Sequence, residues 1–516
     1  MQIFKKNKLT NLDHVFSNCE SLKEIDLSYF ETKYITSLIA TFQNCYNLLS
    51  INFTHFDTTK VEDMENMFSL CQSLKYLDLT YFNLENLRNS NRMFDNCIDL
   101  KKIKFNNNTS TKNLENMNSM FIDCVSLEKI NMQIFEGNKV TDLYGTFENC
   151  YSLKELDLSH FNSKNIITLT NTFKRCKSLS KINLTNFDTS KVTAMAFMFQ
   201  DCVSLTSLNL SSFNFENLKV SNYMFYRCKN LKEIEFNNNS LAKNLKNKND
   251  MFNGCNSLEK INTKIFKESN FTDLNYFFKD CESLKEIDLS NFKLQYITEL
   301  NGTFYNCKSL KIINLTNQDF SEVKSINNIF YNCLKLEIII ISMDVAYNLI
   351  DASFAFSNCK SLEKIIIYGI LDSLESAENM FENCISLTSI NLGFLQGNSR
   401  LKFTRGMFKN CSSLIEINFN RVHAHIFDAA EMFMGCTNLT IANLSELRRM
   451  EFMESTFYDC KSLKYLNILN LFTKNVGSFD NIFKGIEKKM EIIYDRKITG
   501  TDLYLEIKKN QNLTEE

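Results

Sequence analysis

The segment Cys281-Glu282-Ser283-Leu284-Lys285-Glu286-Ile287-Asp288-Leu289-Ser290 decides the fold, because its pattern returns at every cysteine of the chain. Successive cysteines are about 26 residues apart, with slips of one or two. Phe lies three residues before each cysteine and Leu three residues after it. A fixed period of this length indicates a tandem repeat array. The eighteen cysteines are Cys19, Cys45, Cys71, Cys97, Cys124, Cys150, Cys176, Cys202, Cys228, Cys255, Cys281, Cys307, Cys333, Cys359, Cys384, Cys411, Cys436 and Cys460.

The residues on either side of the cysteine predict two kinds of local structure. After it, Ile25 and Leu27 alternate with polar residues, which is the period of a β-strand. Before it, apolar residues recur at spacings of three and four, which favours a short amphipathic helix. Because one repeat cannot bury its apolar face alone, we expect the repeats to stack around a common core. The helical spacing is clearest in Val61, Met64, Met67, Phe68 and Cys71.

The motif F-x-x-C-x-S-L-x-x-I-x-L resembles the leucine-rich repeat of the BspA-like surface-protein family, in a form similar to that of mycoplasma lipoproteins. The resemblance is close over residues 187–205 and extends over nearly the whole chain. It implies an α/β repeat fold, a leucine-rich-repeat solenoid of about 18–19 repeats with a continuous parallel sheet. Each repeat is expected to contain one strand and one short helix. The resemblance specifies a fold rather than one activity, because leucine-rich repeats serve many functions.

A longer period of five repeats is superimposed on the first. Phe105-Asn106-Asn107-Asn108 returns 131 residues later as Phe236-Asn237-Asn238-Asn239. We interpret this as the duplication of five-repeat blocks inside one solenoid that covers residues 1–485, since the core is expected to run through the joins.

The end of the chain departs from the repeat. Ile486 stands where the next cysteine is expected, and residues 486–516 are predicted to form a degenerate last repeat and a C-terminal cap. Thr501-Asp502 is typical of the start of a capped helix. A last strand is suggested by Met490, Ile493 and Tyr494, and the buried side of the helix by Leu503 and Ile507.

Composition limits the compartments and the partners. The net charge of −2 provides no overall attraction to nucleic acid or to an anionic membrane. No apolar run is long enough for a membrane span or a secretory signal. Regularly spaced single cysteines suit a reducing compartment, so we expect an intracellular, cytoplasmic location. The alternative is the cell surface, with a signal segment that is missing from this sequence.

The first repeat lacks its own strand, because Met1 falls in the middle of a repeat. The strand predicted over Leu22–Leu27 would then have an open edge. Open edges pair with other strands, so end-to-end self-association through the N-terminal edge is one expectation.

The cysteines themselves are interpreted as a structural ladder of buried, free thiols that pack as small apolar groups. Disulfides between adjacent repeats would need side chains that point toward each other, and those of a ladder are parallel. A zinc site would need closely spaced pairs such as C-x-x-C, which the sequence lacks. The first six rungs of the ladder are Cys19, Cys45, Cys71, Cys97, Cys124 and Cys150.

No catalytic, cofactor-binding or metal-ligating residues are predicted. Glycine is scarce, and the sequence has no nucleophile elbow, phosphate-binding loop or dinucleotide fingerprint. His423 and His425 could place two imidazoles on one side of an extended segment, but no further ligand lies at a suitable spacing. We therefore expect a protein that is not an enzyme and has no cofactor.

The outward positions of the strands contain one candidate partner-binding patch. Seven residues after the cysteine the chain usually has Asn or Asp, but two adjacent repeats have Ile. An exposed apolar cluster with a polar rim is typical of an interaction site. The alternative is that these residues are buried under the irregular loop Met343–Ile350. The predicted patch consists of Ile312, Ile338, Ile340, Ile366 and Tyr368.

Two functions follow from these features. The first is a non-enzymatic protein-protein interaction scaffold that uses the outward face of the sheet, with a protein partner of unknown identity and without nucleic acid or direct membrane insertion. The second, implied by the family resemblance, is a cell-surface adhesin or host- or ligand-binding protein.

Overall fold

The computed structural model describes residues 9–316, 318–342, 346–471, 478–486, 490–495, 498 and 501–511. The chain divides into two compact units, unit 1 over Met1–Ser269 and unit 2 over Asn270–Glu516. Each unit is a solenoid in which short parallel strands stack in register, one repeat on the next. The parallel solenoid that the repeat predicts is therefore confirmed.

The described residues of unit 1 contain eight strands, which pair in parallel as β1–β2, β3–β4, β5–β6 and β7–β8. Two 3-10 helices, Gln133–Phe135 and Thr263–Phe266, follow the fifth and tenth cysteines. The strands are β1 (Glu24–Asp26), β2 (Ser50–Asn52), β3 (Tyr76–Leu79), β4 (Lys102–Phe105), β5 (Glu155–Asp157), β6 (Lys181–Asn183), β7 (Ser207–Leu210) and β8 (Glu233–Phe236).

Where it is described, unit 2 contains nine strands, one α-helix and the 3-10 helices Leu294–Tyr296 and Leu392–Leu395. Its sheets have the strand orders β11-β10-β9, β12-β14-β16-β17 and β13-β15. The elements are β9 (Ile312–Leu315), β10 (Ile338–Ser342), β11 (Lys364–Tyr368), β12 (Glu416–Asn418), β13 (His425–Asp428), β14 (Ile441–Asn443), β15 (Arg449–Phe452), β16 (Tyr465–Ile468), β17 (Glu491–Tyr494) and α1 (Asp502–Gln511).

The expectation of one continuous sheet is wrong within each unit, because the ladder of strands is interrupted. Between β4 and β5, the fifth repeat has no strand in the described chain and instead enters the 3-10 helix Gln133–Phe135. Asn131 begins that helix, since its Oδ1 accepts a hydrogen bond from the backbone N–H of Gln133 at 3.1 Å. The same departure recurs in the tenth and fifteenth repeats, at Thr263–Phe266 and Leu392–Leu395, which matches the five-repeat period of the sequence.

The expectation of one short helix per repeat is also wrong, since α1 is the one α-helix in the described parts of the chain. The segment before each cysteine is a series of turns. In it, the backbone N–H groups of Asn66, Phe68 and Leu70 donate hydrogen bonds of 2.7–3.0 Å to carbonyl groups of the next repeat. The N–H groups between them bond three residues back in their own repeat. A helix would need all of these N–H groups for its own carbonyls.

In each repeat, two residues of this turn segment have a positive φ. One lies five residues before the cysteine, and the other lies directly before it. For Cys71 they are Asn66, at φ 53°, and Leu70, at φ 62°. This left-handed region suits Asn, Asp and Gly. Fifteen of the eighteen residues that directly precede a cysteine are Asn, Asp or Gly, so the sequence favours the turn at nearly every repeat.

The core of each unit contains a column of stacked phenylalanines. In unit 1 the column runs from Phe16 to Phe252, with ring centroids of neighbours 5.3–5.9 Å apart. In unit 2 it runs from Phe278 to Phe483, at 5.4–6.1 Å. Each offset-stacked pair contributes about 0.5–1.5 kcal/mol beyond the burial of its apolar area.

The C-terminal part of unit 2 has the last strand and the helix that the sequence indicates. β17 pairs in parallel with β16. Thr501 caps α1, since its Oγ1 accepts a hydrogen bond from the N–H of Tyr504 at 3.4 Å. Leu503 and Ile507 of the helix are buried. The division of the chain into a solenoid up to residue 485 and a cap from residue 486 stays a prediction.

Candidate interaction surface

Most strands of the solenoid end at a side-chain-to-backbone hydrogen bond. Fourteen of the eighteen residues that lie seven positions after a cysteine are Asn or Asp. In each, the side-chain oxygen accepts the backbone N–H two residues further on, as Asp78 does from Thr80 at 2.9 Å. This Asx turn bends the chain and ends the strand. The fourteen are Asp26, Asn52, Asp78, Asn131, Asp157, Asn183, Asn209, Asn262, Asp288, Asn314, Asn391, Asn418, Asn443 and Asn467.

Ile340 and Ile366 occupy this position in β10 and β11, and their side chains cannot form an Asx turn. Both strands have five residues, whereas the other described strands have three or four. The extension pairs Ser342 with Tyr368, one step beyond the usual end of the ladder. The two isoleucines thus make the outward face apolar in the two longest described strands.

The in-register pairing brings the five predicted patch residues onto one face of the sheet β11-β10-β9. Ile338 is the register partner of Ile312, and Ile340 is the partner of Ile366. Ile312 is 55% exposed and Tyr368 is 52% exposed. Ile338, Ile340 and Ile366 are half-buried, as expected when β-branched neighbours about 4.8 Å apart cover each other.

The rim of this Ile patch is polar. Lys364 is the register partner of Ile338, and Asn314 is the partner of Ile340. Beside them, Lys311 Nζ lies 3.8 Å from Glu337 Oε1. The alternative predicted from the sequence was that the loop Met343–Ile350 covers the patch. Residues 343–345 of this loop lie outside the described residues. Tyr347 and Ile350 of the same loop are exposed.

The cysteine ladder lies inside the solenoid, except for its first rung. Cys19 is exposed, and the other seventeen cysteines are buried, with no disulfide among the eighteen. Sixteen thiols donate a hydrogen bond of 3.0–3.3 Å to the backbone carbonyl of the Phe in the preceding repeat. Burial raises the pKa of the Cys45 thiol to about 11. Because the thiolate is the reactive form, the buried cysteines are poor nucleophiles and metal ligands.

The two histidines with ligand-like spacing do not form a metal site. His423 Nδ1 lies 3.5 Å from Glu446 Oε2, and His425 is an exposed residue of β13. Over the described residues, no group of three or more His, Cys, Asp or Glu side chains could hold a metal ion. A helix with the length and apolarity needed to cross a membrane is also absent from those residues.

Comparison with protein families gives a match for each unit. Residues 10–134 and 141–265 match a family described as a Mycoplasma protein of unknown function, DUF285. Residues 274–396, 325–464 and 377–500 match the BspA type leucine rich repeat region. A comparison with curated proteins finds no match.

Several solved structures align with this chain at low sequence identity and low TM-score. A leucine-rich repeat protein from Bacteroides ovatus is 17% identical, with a TM-score of 0.32, over 93% of this chain and 86% of that chain. A leucine rich cell surface protein from Faecalibacterium prausnitzii is 14% identical, with a TM-score of 0.27, over 87% and 84%. A leucine-rich repeat protein from Eubacterium ventriosum is 14% identical, with a TM-score of 0.30, over 75% and 88%.

Proposed function

Since the chain belongs to the BspA-type leucine-rich repeat proteins, we propose that it is a non-enzymatic scaffold that binds another protein through the outward face of its sheet. Leucine-rich repeat arrays are typically binding scaffolds, because stacked repeats present a long surface whose outward side chains vary independently of the core. The observation that carries the proposal is the Ile patch of β9, β10 and β11.

The Ile patch has the composition of a binding hot spot. Ile312 and Tyr368 offer exposed apolar area, and Ile340 and Ile366 form a half-buried centre between them. Fully burying one Ile side chain contributes about 1.5–3 kcal/mol. A few such residues dominate the affinity of an interface when they are surrounded by a polar rim. Lys311, Glu337 and Lys364 supply that rim.

The test replaces the centre of the patch with the residue that most repeats carry. The double variant Ile340→Asn, Ile366→Asn restores an Asx-turn residue in β10 and β11, so the solenoid is expected to fold. A matched control is Ile415→Asn, Ile441→Asn, which removes two isoleucines that are 51% and 42% exposed elsewhere in unit 2. In affinity purification from native cells, the patch variant should lose a protein that the wild type and the control retain. Retention by all three would remove the proposal.

A second copy of the chain is the partner that the N-terminal end of unit 1 suggests. β1 pairs with β2, and among the described residues no strand pairs with its other edge. Free edges pair with other strands through backbone hydrogen bonds. Light scattering should then show mass that increases with concentration, and a strict monomer at high concentration would exclude this contact.

The second candidate function is that of a cell-surface protein which binds a host or environmental ligand. Membership in the BspA-type family favours it, because proteins with these repeats are often found at the surface. Protease treatment of intact native cells distinguishes the two locations. Digestion of the protein outside intact cells supports the surface function, and full protection supports an intracellular scaffold.

A further inference from the structure

A polar depression of about 420 Å³ lies on the outward face of unit 1, far in sequence from the Ile patch. Small-molecule sites typically have volumes of about 300–1,000 Å³. The depression occurs where the fifth repeat leaves the strand path for the 3-10 helix Gln133–Phe135, beside the complete strands β5 and β6. Its floor is formed by Ile130, Met132 and Leu156, each of which is buried.

The walls carry two rows of polar side chains from three adjacent repeats. One row consists of Lys129, Glu155 and Lys181, and Lys129 Nζ lies 2.6 Å from Glu155 Oε1. The other row consists of Asn131, Asp157 and Asn183, with His160 beside it.

The charges of the depression balance. Two lysines face two carboxylates, and the hydrogen bond from Lys129, together with Lys181, holds the pKa of Glu155 below its ordinary value. The Ser159 N–H and hydroxyl do the same for Asp157, assisted by His160 and Asn183. Both carboxylates are therefore ionised at neutral pH and remain hydrogen-bond acceptors.

This balance selects the kind of ligand. An anion would have to approach two carboxylates, and a cation would have to approach two ammonium groups, so net charge is disfavoured in both signs. A purely apolar ligand or peptide side chain would leave the ammonium, amide and carboxylate groups of the walls without partners, whereas a ligand with both hydroxyl groups and apolar C–H faces would match the mixed lining. Hydroxyl groups can each donate and accept, so they match a surface that mixes ammonium and amide donors with carboxylate acceptors.

From this geometry we infer that the depression lined by Lys129, Glu155, Asp157 and Lys181 is a binding site for a neutral saccharide. Glu155 and Asp157 accept hydrogen bonds from sugar hydroxyls, and Lys129 and Lys181 donate to the hydroxyl oxygens. The site lies in unit 1, and the inference does not rest on protein binding at the Ile patch of unit 2.

The chain offers a closely matched control. The double variant Glu155→Gln, Asp157→Asn removes both acceptor charges from β5 and keeps an Asx-turn residue at its end. Glu24→Gln, Asp26→Asn makes the same two changes at the same two positions of β1, where Asp26 also accepts the N–H two residues on. Equal stability of the two variants separates loss of the site from loss of the fold.

The experiment is binding to a printed array of neutral and sialylated oligosaccharides, followed by titration calorimetry with the strongest neutral ligand. The wild type and the β1 control should bind a neutral glycan with a Kd of about 1 mM or tighter and ignore sialylated ones. The β5 variant should lose at least tenfold in affinity and gain binding to sialylated glycans, since two lysines remain. Absence of neutral-glycan binding, or equal binding by all three proteins, would overturn the inference.

Discussion

Ile340 lies directly opposite Ile366 in the parallel pair of β10 and β11, at the position where most other strands of the solenoid end in an Asx turn. The two isoleucines therefore lack the side-chain acceptor of the Asx turn, and they place apolar side chains on the outward face. The apolar patch coincides with the two longest described strands.

The accessibility of the thiols predicts that one cysteine reacts in the native protein. Cys19 is exposed, and the remaining seventeen cysteines are buried. Burial raises the thiol pKa, to about 11 for Cys45 and about 12 for Cys359, so the reactive thiolate is scarce at neutral pH. A maleimide or aromatic disulfide reagent should label one thiol quickly without denaturant and all eighteen in denaturant. The variant Cys19→Ser should show no fast labelling. Rapid modification of several thiols in that variant would show that the ladder is open to solvent.

The buried thiols also predict a loss of stability at high pH. Burial raises the pKa of Cys359 and Cys460 to about 12, from an ordinary value of 9.0. Between these values the unfolded chain has released thiol protons that the folded chain retains. The contribution of each such thiol to the free energy of unfolding is then fully present below about pH 9 and falls as the pH rises, by up to about 1.4 kcal/mol per pH unit.

The measurement is urea denaturation at about pH 8 and about pH 10. The urea concentration at the unfolding midpoint should decrease from the lower to the higher pH in the wild type. The decrease should be smaller in the variant Cys359→Ala, Cys460→Ala. Equal losses would mean that other groups cause the alkaline destabilisation.

Substitution of Leu70 by a residue that tolerates a positive φ is predicted to stabilise the protein. It adopts φ 62° directly before Cys71, where most repeats have Asn, Asp or Gly. A left-handed conformation costs an ordinary side chain about 1–2 kcal/mol, so Leu70→Asn should raise the free energy of unfolding by about 0.5–1 kcal/mol. The reverse change, Asn96→Leu, should lower it, because Asn96 has φ 57° at the matching position. Denaturant unfolding of both variants checks this, and shifts of the same sign would contradict it.

The repeat, its stacking and its outward positions follow from the sequence, because burial fixes them. Phe68, Cys71 and Leu74 recur in a frame that only stacked repeats can bury, and the pairing of Ile340 with Ile366 follows from that frame. The patch was therefore predictable as a set of neighbours. Its role in binding a partner stays a prediction.

The periodicity of the apolar residues before the cysteine could not distinguish the predicted helix from the turns that the structure shows there. Met64, Met67 and Phe68 are buried in the observed turns, and a helix with this spacing would place the same residues on its buried face. The difference lies in Asn66 and Leu70, whose positive φ turns alternate N–H groups toward the neighbouring repeat. The recurrence of Asn, Asp and Gly before the cysteine was the available signal for this left-handed residue.

The polar depression of unit 1 could not be predicted because it depends on where one repeat leaves the strand path. Asn131 and Asn183 occupy the same position of their repeats. Asn183 ends the strand β6, whereas the chain after Asn131 forms the 3-10 helix Gln133–Phe135 with no strand before it in the described chain. The five-repeat period marked this place in the sequence without indicating its geometry.

The most direct test of the central claim is the affinity of the captured partner for the purified chain. The equilibrium Kd would be measured for the wild type, for Ile340→Asn, Ile366→Asn, and for the control Ile415→Asn, Ile441→Asn. If the Ile patch is the hot spot, the patch variant weakens binding at least a hundredfold, which corresponds to about 2.7 kcal/mol, and the control changes it less than about threefold. Equal Kd values for the patch variant and the wild type, with both proteins folded, would contradict the account.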